Sequence, residues 1–275
     1  MPDFADLHIH TNFSDSTSSP QEVVEQARDN GLKCISITDH DTIDGIDPTI
    51  AAALNYDIEV ISGIELSSEM NHKDVHILGY LMDYKNPEFV NRINCIQNAR
   101  IGRMQEMIGK LKAIGIENIT LEEVCELAKS KSVGRPHLAT VLIEKGLVAN
   151  NQMAFDRYLA DGAPAYVPKF KQTPYEAIEL IRKFGGIAVL AHPMLTKVDE
   201  LISSFVEAGL GGIEVHYPNT SEVVKKFYER LANKYGLVVT GGSDAHGNVK
   251  KHTYVGKVKM PYALVENLRN STRRI

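Results

Sequence analysis

The chain has few of the residues that build disulfide frameworks or thiolate metal sites. Among 275 residues there are three cysteines. Cys34, Cys95 and Cys125 lie far apart and form no Cys-x-x-Cys pair. This pattern argues against a disulfide framework and against a thiolate zinc site. It is typical of a reducing compartment, and we therefore expect a cytoplasmic protein.

Long apolar runs and strong net charge are also missing. No stretch is apolar enough to cross a bilayer, and the start Met-Pro-Asp does not resemble a basic-then-apolar signal segment, so no membrane association is expected. The formal charge of −5 is too small for a nucleic-acid footprint over the whole surface, but it is compatible with a local basic pocket for phosphate. The absence of tryptophan and of a basic–aromatic stripe argues against a long nucleic-acid track. The sequence leaves the oligomeric state open.

Short apolar segments alternate with helical patterns over most of the chain. Near-continuously apolar strands such as residues 187–191 are typical of a parallel sheet that is covered on both faces. About seven such units predict an α/β fold that closes into a barrel. A block at residues 87–168 interrupts the alternation and shows helical periodicity instead. We therefore predict a barrel formed by residues 1–86 and 169–275, with an inserted helical subdomain at 87–168.

The first strand ends in the tripeptide His8-Ile9-His10. Residues two apart in a strand point to the same face, so the two imidazoles lie side by side. Two such nitrogens supply half of a metal site. His-x-His also occurs by chance on exposed strands, so the interpretation depends on further ligands elsewhere in the chain.

Further residues of the ligand type lie where other predicted strands end. They are Asp39, His40, Glu65, His192, Glu214, Asp244 and His246, together with His76 in a hairpin strand and Asp15 in the loop after the first strand. Strand ends are often polar, so each residue alone has an ordinary explanation. In a parallel β/α barrel, however, these ends converge on one mouth, where the chemistry takes place. Their joint occurrence therefore predicts a metal centre. Asp39 and Asp41, beside His40, are expected to orient its ring.

The chemistry of these donors indicates which metals would bind and what they would do. Imidazoles and carboxylates without thiolates fit Mn²⁺, Fe²⁺ or Zn²⁺ better than a structural zinc or Ca²⁺. Eight or more ligands are too many for one ion, so two or three divalent metal ions are expected. Such ions lower the pKa of a bridging water and neutralise charge on an attacked phosphorus. Hydrolysis of phosphate esters is the reaction that this site predicts.

The successive motifs of the chain resemble those of the PHP (polymerase and histidinol phosphatase) family. The matching segments are Asp6-Leu7-His8-Ile9-His10-Thr11, Ser14-Asp15, Ile37-Thr38-Asp39-His40-Asp41-Thr42, Gly63-Ile64-Glu65, His76-Ile77-Leu78-Gly79-Tyr80, Ala191-His192-Pro193 and Gly242-Ser243-Asp244-Ala245-His246-Gly247. The resemblance implies a distorted (β/α)7 barrel with a trinuclear metal centre.

The resemblance also implies which residues share each ion. The first metal would be held by His8, His10, Glu65 and Asp244, the second by Glu65 as a bridge with His76 and His192, and the third by Asp15, His40 and His246. Asp244, His192 and His246 are predicted to act in catalysis as well.

Two features are similar to the small phosphoesterase branch of the family, namely Asp15 and the segment Gly134-Arg135-Pro136-His137 in the insert. That branch is similar to nucleoside 3′,5′-bisphosphate phosphatases and a 5′-end-trimming ribonuclease, whereas histidinol phosphatases usually have His at the position of Asp15. The insert would cover the mouth and offer Arg135 and His137 to the substrate phosphate, with Lys169 as a weaker candidate. Arg135 could equally be a solvated residue at a helix start.

The expected substrate is a small phosphorylated molecule such as a nucleotide, a short oligonucleotide or a sugar phosphate. Two alternatives remain open. A binuclear amidohydrolase also opens with His-x-His, but it would need a bridging lysine at a middle strand, and it would leave Asp15, His40 and His246 without a role. A non-catalytic PHP module that serves structure would have lost ligands, whereas this chain retains them all.

Overall fold

The computed structural model describes residues 3–128, 132–168, 172–249 and 252–272. Within these ranges eight strands form one sheet. They are β1 (Phe4–Ile9), β2 (Leu32–Ile37), β3 (Glu59–Met70), β4 (Lys73–Tyr80), β5 (Ile187–Leu190), β6 (Gly212–His216), β7 (Val238–Gly241) and β8 (Met260–Pro261). Their order in the sheet is β7-β6-β5-β4-β3-β2-β1-β8. The seven longer strands form the barrel, and the short β8 extends its edge beside β1.

The barrel closes through the segment that follows β7. Ile9 in β1 forms a parallel bridge with Ala245, and the backbone N–H of His10 donates to the carbonyl of Ala245 at 3.0 Å. Gly242 makes this approach feasible, because a Cβ there would lie 2.2 Å from the backbone nitrogen of His8. The last strand end is thereby held against the first one.

The predicted barrel is confirmed, but its sheet is not parallel throughout. β4 is antiparallel to both β3 and β5, and β8 is antiparallel to β1. β3 runs without interruption to a tight turn at Asn71 and His72, whose φ angles are 51° and 62°. The turn residues at 71–74 predict a hairpin of two short strands around Glu69 and Val75–Leu81. The structure contains the hairpin, but its first strand is the end of the long strand β3. This reversal is what distorts the (β/α)7 pattern.

Eleven α-helices lie within the described ranges. They are α1 (Pro20–Asp29), α2 (Ile46–Ala53), α3 (Pro87–Ala113), α4 (Leu121–Ala128), α5 (Arg135–Glu144), α6 (Asn151–Ala154), α7 (Pro174–Lys183), α8 (Pro193–Thr196), α9 (Ile202–Glu207), α10 (Glu222–Tyr235) and α11 (Ala263–Thr272). Local sequence fixes many helix ends. Ser19 and Glu22 form a capping box on α1, Thr173 and Glu176 form one on α7, and Gly236 ends α10 with a φ of 66°. None of the described helices is both long and apolar enough to span a membrane.

The helical block between β4 and β5 has its own apolar core. This core contains Met104, Leu111, Leu138 and Leu142. The first turns of α3 differ, because Phe89, Ile93 and Ile96 pack into the core around β3, β4 and β5 instead. One long helix therefore belongs to both cores and fixes the block over the barrel. The division at residues 87 and 168 stays a prediction.

Candidate metal centre

Five imidazoles surround the carboxylate of Glu65, which is buried in the barrel. Its Oε2 atom lies 3.3 Å from His8 Nε2, 3.2 Å from His10 Nε2 and 3.2 Å from His40 Nδ1. Its Oε1 atom lies 2.8 Å from His76 Nδ1 and 3.1 Å from His192 Nε2. One carboxylate thus touches donors from four other parts of the barrel, which is the position that a bridging ligand requires.

Two further carboxylates complete the group. Asp15 Oδ1 lies 3.2 Å from His246 Nε2 and 3.8 Å from His10 Nδ1, and its Oδ2 lies 3.9 Å from His40 Nε2. Asp244 Oδ1 lies 3.2 Å from His10 Nε2 and 3.3 Å from His246 Nδ1. The structure therefore brings together all nine predicted ligands, which we call the donor cluster: His8, His10, Asp15, His40, Glu65, His76, His192, Asp244 and His246.

Many atoms of the buried donors face one another without a regular hydrogen bond, although Glu65 Oε1 is within hydrogen-bond distance of His76 Nδ1 and His192 Nε2. Atoms that are buried and find no hydrogen-bond partner among the described residues include His8 Nε2, both ring nitrogens of His10, Asp15 Oδ1, His40 Nδ1, Glu65 Oε2, His76 Nε2 and His192 Nδ1. Each buried polar group left in this way costs about 1–3 kcal/mol. Divalent cations between these atoms would remove that cost, so the residues present fit a metal centre.

The grouping of donors around shared points partly follows the predicted sets. Atoms within 4.8 Å of one another come from His8, His10 and Glu65, from His40, Glu65 and His76, and from His10, Asp15, His40 and His246. His40 thus joins two groups, whereas it was expected at one ion. The number of ions and the ligands of each stay predictions.

Two carboxylates of the donor cluster, those of Glu65 and Asp15, are in the form that binds metals. Burial raises the pKa of Glu65, but the neighbouring imidazoles of His40 and His76 outweigh it and hold this pKa well below its usual range. Burial acts in the same way on Asp15, and His246 and His40 likewise lower its pKa well below normal. Both are therefore ionised near neutral pH, as metal binding requires.

Strand ends and turns position the outer members of the cluster. His192 follows β5 and Asp244 follows β7, and both have positive φ angles, of 29° and 47°. Such a conformation is strained for residues other than glycine, and it persists where the surrounding structure enforces it, often at functional sites. Here it turns each side chain from its strand end into the mouth.

Two residues outside the donor cluster hold its members in place. Glu214 Oε1 accepts from His8 Nδ1 at 2.9 Å, and Glu214 Oε2 accepts from the backbone N–H of His192 at 2.8 Å. The Tyr217 hydroxyl donates to Asp244 Oδ2 at 2.7 Å. These contacts leave His8 Nε2 and Asp244 Oδ1 directed at the cluster. The contact of Tyr217 was not predicted, because Glu214 marks this strand end in the sequence but the partner of the tyrosine, Asp244, follows a different strand.

The carboxylates beside His40 have other partners than expected. Asp39 accepts from the backbone N–H and the hydroxyl of Thr11 at 2.7 and 2.6 Å, and from the hydroxyl of Ser14, so it holds the loop that carries Asp15. Asp41 accepts from Arg100 Nε at 2.7 Å. The prediction that both orient the His40 ring is therefore wrong, since each carboxylate is turned to these groups instead.

A cavity of about 180 Å³ opens beside the donor cluster. Its walls include Asp15, His40 and His76 on the barrel side and Arg100, Arg103 and Arg135 on the insert side. We call it the arginine cavity. Arg103 Nε donates to the carbonyl of Val167 at 2.8 Å, whereas its buried Nη2 has no hydrogen-bond partner among the described residues. Burial lowers the pKa of Arg103 to about 10, and the charges of Arg135 and Arg100 act in the same direction.

The three residues predicted to bind the substrate phosphate have different surroundings. Arg135 lines the arginine cavity, where its Nη1 also lies 2.9 Å from Asp161 Oδ1. His137 lines it too, but its Nδ1 accepts from the N–H of Gly134 at 3.0 Å and its Nε2 donates to the carbonyl of Ser14 at 2.8 Å. A phosphate contact by His137 would have to break one of these bonds. Lys169 lies outside the described residues. All three roles stay predictions.

Sequence reasoning missed Arg100 and Arg103 as site residues. Both lie on α3, three residues apart, among the polar positions of a helical pattern. That spacing indicates a shared helix face, but it does not indicate that the face turns toward the barrel mouth.

Comparison with known proteins agrees with this arrangement. The chain matches the PHP domain family over residues 6–239. It is 34% identical to a 5′-3′ exoribonuclease of Haemophilus influenzae, with 88% of this chain and 89% of that protein aligned. It is 31% identical to a 3′,5′-nucleoside bisphosphate phosphatase of Chromobacterium violaceum, over 88% and 86% of the two chains. A crystal structure from Bifidobacterium adolescentis, described as a candidate metal-dependent phosphoesterase, superposes with a TM-score of 0.86 at 28% identity and covers 98% and 96% of the chains. The chain belongs to the PHP domain family.

Proposed function

We propose that this protein is a metal-dependent phosphoesterase that acts on small nucleotides or short oligonucleotides, with two or three divalent cations in the donor cluster. Family membership supports the reaction class, and the names of the two relatives support a nucleotide substrate. Mn²⁺, Fe²⁺ or Zn²⁺ would suit the imidazole and carboxylate donors.

One observation carries this proposal, namely that the arginine cavity and the donor cluster share a wall. Asp15, His40 and His76 belong to both. Guanidinium groups bind phosphate oxygens in a planar, bidentate geometry. A substrate with two phosphates could therefore place a terminal phosphate against Arg100, Arg103 and Arg135 while its second phosphate reaches the cluster.

Different residues would have different roles in hydrolysis. When bound, the cations would lower the pKa of water and offset charge on the attacked phosphorus. Glu65 and Asp15 stay ionised and keep the site negative enough to retain cations. Glu214 and Tyr217 fix the direction of His8 and Asp244. Arg103 and Arg135 bind the substrate and set its distance from the cluster. Asp244, His192 and His246 are the residues proposed to act in catalysis, since they lie at the strand ends that converge there.

A panel of esters tests this function. The Mn²⁺-loaded protein is assayed with nucleoside 3′,5′-bisphosphates, short 5′-phosphorylated oligonucleotides, sugar phosphates, and a set of amides and lactams. We expect phosphate-ester cleavage, and we expect His10→Ala and Asp244→Ala to abolish it while circular dichroism shows a folded protein. Full activity in either variant would contradict the assignment of the site.

The same panel separates the alternatives. Cleavage of amides or lactams without cleavage of phosphate esters would favour the amidohydrolase alternative. A full complement of bound metal without cleavage of any ester would favour a non-catalytic PHP module. The amidohydrolase alternative gives no role to Asp15, His40 and His246, whose donor atoms lie within 4.8 Å of one another together with His10. A non-catalytic module does not need this concentration of donors.

A further inference from the structure

Asp15 lies in the loop between β1 and α1, so the sheet does not fix its position directly. By contrast, His10 directly follows β1 and Glu65 lies within β3. Donor atoms within 4.8 Å of one another come from His10, Asp15, His40 and His246, which we call the Asp15 group. The geometry of this group therefore depends on what holds the loop.

The loop is held from two sides at the residue before Asp15. On the barrel side, the hydroxyl of Ser14 donates to Asp39. On the insert side, His137 Nε2 donates to the carbonyl of Ser14 at 2.8 Å. That carbonyl belongs to the planar peptide unit that also contains the backbone nitrogen and Cα of Asp15. A bond that fixes the carbonyl therefore also fixes the direction from which the Asp15 side chain enters the donor cluster.

The start of α5 fixes the ring of His137. Its Nδ1 accepts from the N–H of Gly134 at 3.0 Å, and this N–H is one of the groups that a helix start leaves without a partner. Since Nδ1 accepts, Nε2 carries the proton that is donated to Ser14. His137 is buried, and burial lowers its pKa, which favours the neutral ring. The folded first turn of α5 thus presents one donor to the Asp15 loop.

A second residue of the insert contacts the same group. The hydroxyl of Ser132 donates to the backbone carbonyl of His40. Like the bond from His137, this contact uses a backbone carbonyl, so it leaves the side-chain donor atoms of the group available to a cation. The segment 132–137 of the insert therefore holds the backbone at or beside two of the four members of the Asp15 group.

We propose that His137 is a positioning residue of the metal centre, which holds the Asp15 loop so that the Asp15 group retains a cation. The insert is then a part of the metal centre as well as a cover over its mouth. This inference rests on the metal centre of the proposed function. His8, His10 and Glu65 form a donor group within or next to β1 and β3, so a cation there does not depend on the insert. Thermodynamic linkage requires the converse as well, namely that a cation in the Asp15 group strengthens the docking of α5 on the barrel.

The first test measures metal content in three variants without substrate. His137→Phe keeps a ring of similar size and removes both nitrogens, whereas His137→Gln keeps an amide N–H that can donate to Ser14. Thr140→Val is the matched control, because it removes a hydrogen bond of 3.1 Å inside α5, from the Thr140 hydroxyl to the carbonyl of Pro136. Each protein is loaded with Mn²⁺, freed of unbound metal and analysed by mass spectrometry, and circular dichroism reports its fold.

We expect His137→Phe to lower the affinity for one cation about 10- to 100-fold and so to lose about one ion per chain. His137→Gln and Thr140→Val should keep the wild-type content. Wild-type content in His137→Phe with a raised KM for a nucleoside bisphosphate would mean that His137 binds phosphate, and it would overturn the inference. Equal losses in His137→Phe and His137→Gln, or in all three variants, would also overturn it.

The second test uses the wild type alone, so it does not require any variant to fold. Amide hydrogen exchange is measured with bound Mn²⁺ and after removal of the metal by a chelator. We expect the amides of residues 134–138 to exchange about 5-fold faster or more after metal removal, with a smaller change in α10, which serves as the internal control. A change in residues 134–138 no larger than that in α10 would overturn the inference.

These outcomes are distinguishable from a failure of the proposed function. A wild type that binds two or three ions but cleaves no phosphate ester would contradict the proposed function and leave the role of His137 intact. A wild type that cleaves phosphate esters and gives either overturning result above would contradict the role of His137 alone. A folded wild type that binds no metal would contradict both.

Discussion

Glu214 and His8 form a buried pair in which the carboxylate oxygen Oε1 accepts from His8 Nδ1 at 2.9 Å. Both side chains are fully buried. The bond fixes the ring so that Nε2 faces Glu65 at 3.3 Å. A carboxylate behind an imidazole commonly orients metal ligands in this way and makes them more basic. The pair thus links the barrel core to the donor cluster.

Glu214→Gln should weaken metal binding more than folding. The amide keeps the size of the side chain and can still accept from His8, but it lacks the negative charge that makes the imidazole a stronger ligand. We expect Mn²⁺ affinity, measured by titration calorimetry, to fall about 10- to 100-fold. The control is Glu207→Gln, an exposed residue of α9, which should leave affinity unchanged. Unaltered affinity in Glu214→Gln would show that Glu214 does not tune His8.

Arg103→Met should raise KM and change kcat little, because it removes a guanidinium that we propose to bind the substrate and leaves the donor cluster intact. A charge-assisted contact of this kind is worth about 1.5–3 kcal/mol, which corresponds to an increase in KM of about 10- to 100-fold.

Arg157→Met is the matched control, since Arg157 is exposed on the same insert and does not line the arginine cavity. Steady-state kinetics with a nucleoside bisphosphate distinguish the two variants. An Arg103→Met enzyme with the KM of the wild type would exclude Arg103 from the phosphate site.

Asp41→Asn should reduce stability, because Asp41 joins the barrel to the insert. Its carboxylate accepts from Arg100 Nε at 2.7 Å and from the N–H of Ser67 at 2.8 Å. Loss of the charge should lower the free energy of unfolding by about 2–3 kcal/mol. Asn is a fair replacement, since it also tolerates the φ of 51° found there.

Urea denaturation measures this effect. The control is Asp47→Asn, which removes the exposed contact between Asp47 and Lys85 and should cost less than about 1 kcal/mol. Equal stabilities of the two variants would mean that the Asp41–Arg100 pair does not hold the insert on the barrel.

Gly242→Ala should disturb the barrel closure, since the new Cβ would lie 2.2 Å from the backbone nitrogen of His8. β1 or the segment after β7 must shift, which should cost about 1–3 kcal/mol of stability and separate His8 from Asp244. Gly102→Ala, inside α3, has open space around the new methyl group and should stabilise the protein by about 0.5–1 kcal/mol. Thermal melts and Mn²⁺ titration of both variants provide the comparison. Normal metal binding by Gly242→Ala would contradict the close approach.

The sequence predicted that these donors lie close together, because their placement follows from a single rule, whereas their binding of metal stays a prediction. His8 and His10 lie at the end of β1, and strands that run parallel end at one mouth. Glu65 lies within β3, which runs in the same direction and continues beyond the mouth as far as Met70. The hairpin that reverses β4 was predicted from the turn residues at 71–74, and the structure contains it. The continuous run of β3 from Glu59 to Met70 was not predicted, because the sequence pattern indicates a strand end at Glu65.

The arginine cavity could not be predicted in the same way. Arg100 and Arg103 reach the barrel mouth because α3 packs against the barrel through Phe89 and Ile93 and is tied to Asp41. These contacts join residues far apart in the sequence, so local periodicity does not contain them. For His137 the sequence motif predicted a contact with the substrate phosphate. In the structure both of its ring nitrogens form hydrogen bonds to backbone atoms, which the motif did not indicate.

The central claim is that the donor cluster holds several cations at once. Elemental analysis by mass spectrometry, after Mn²⁺ loading and removal of free metal, measures the number of ions per chain directly. We predict two or three for the wild type and fewer for His10→Ala, since His10 lies within reach of two donor groups. One ion or none in the folded wild type would contradict the account.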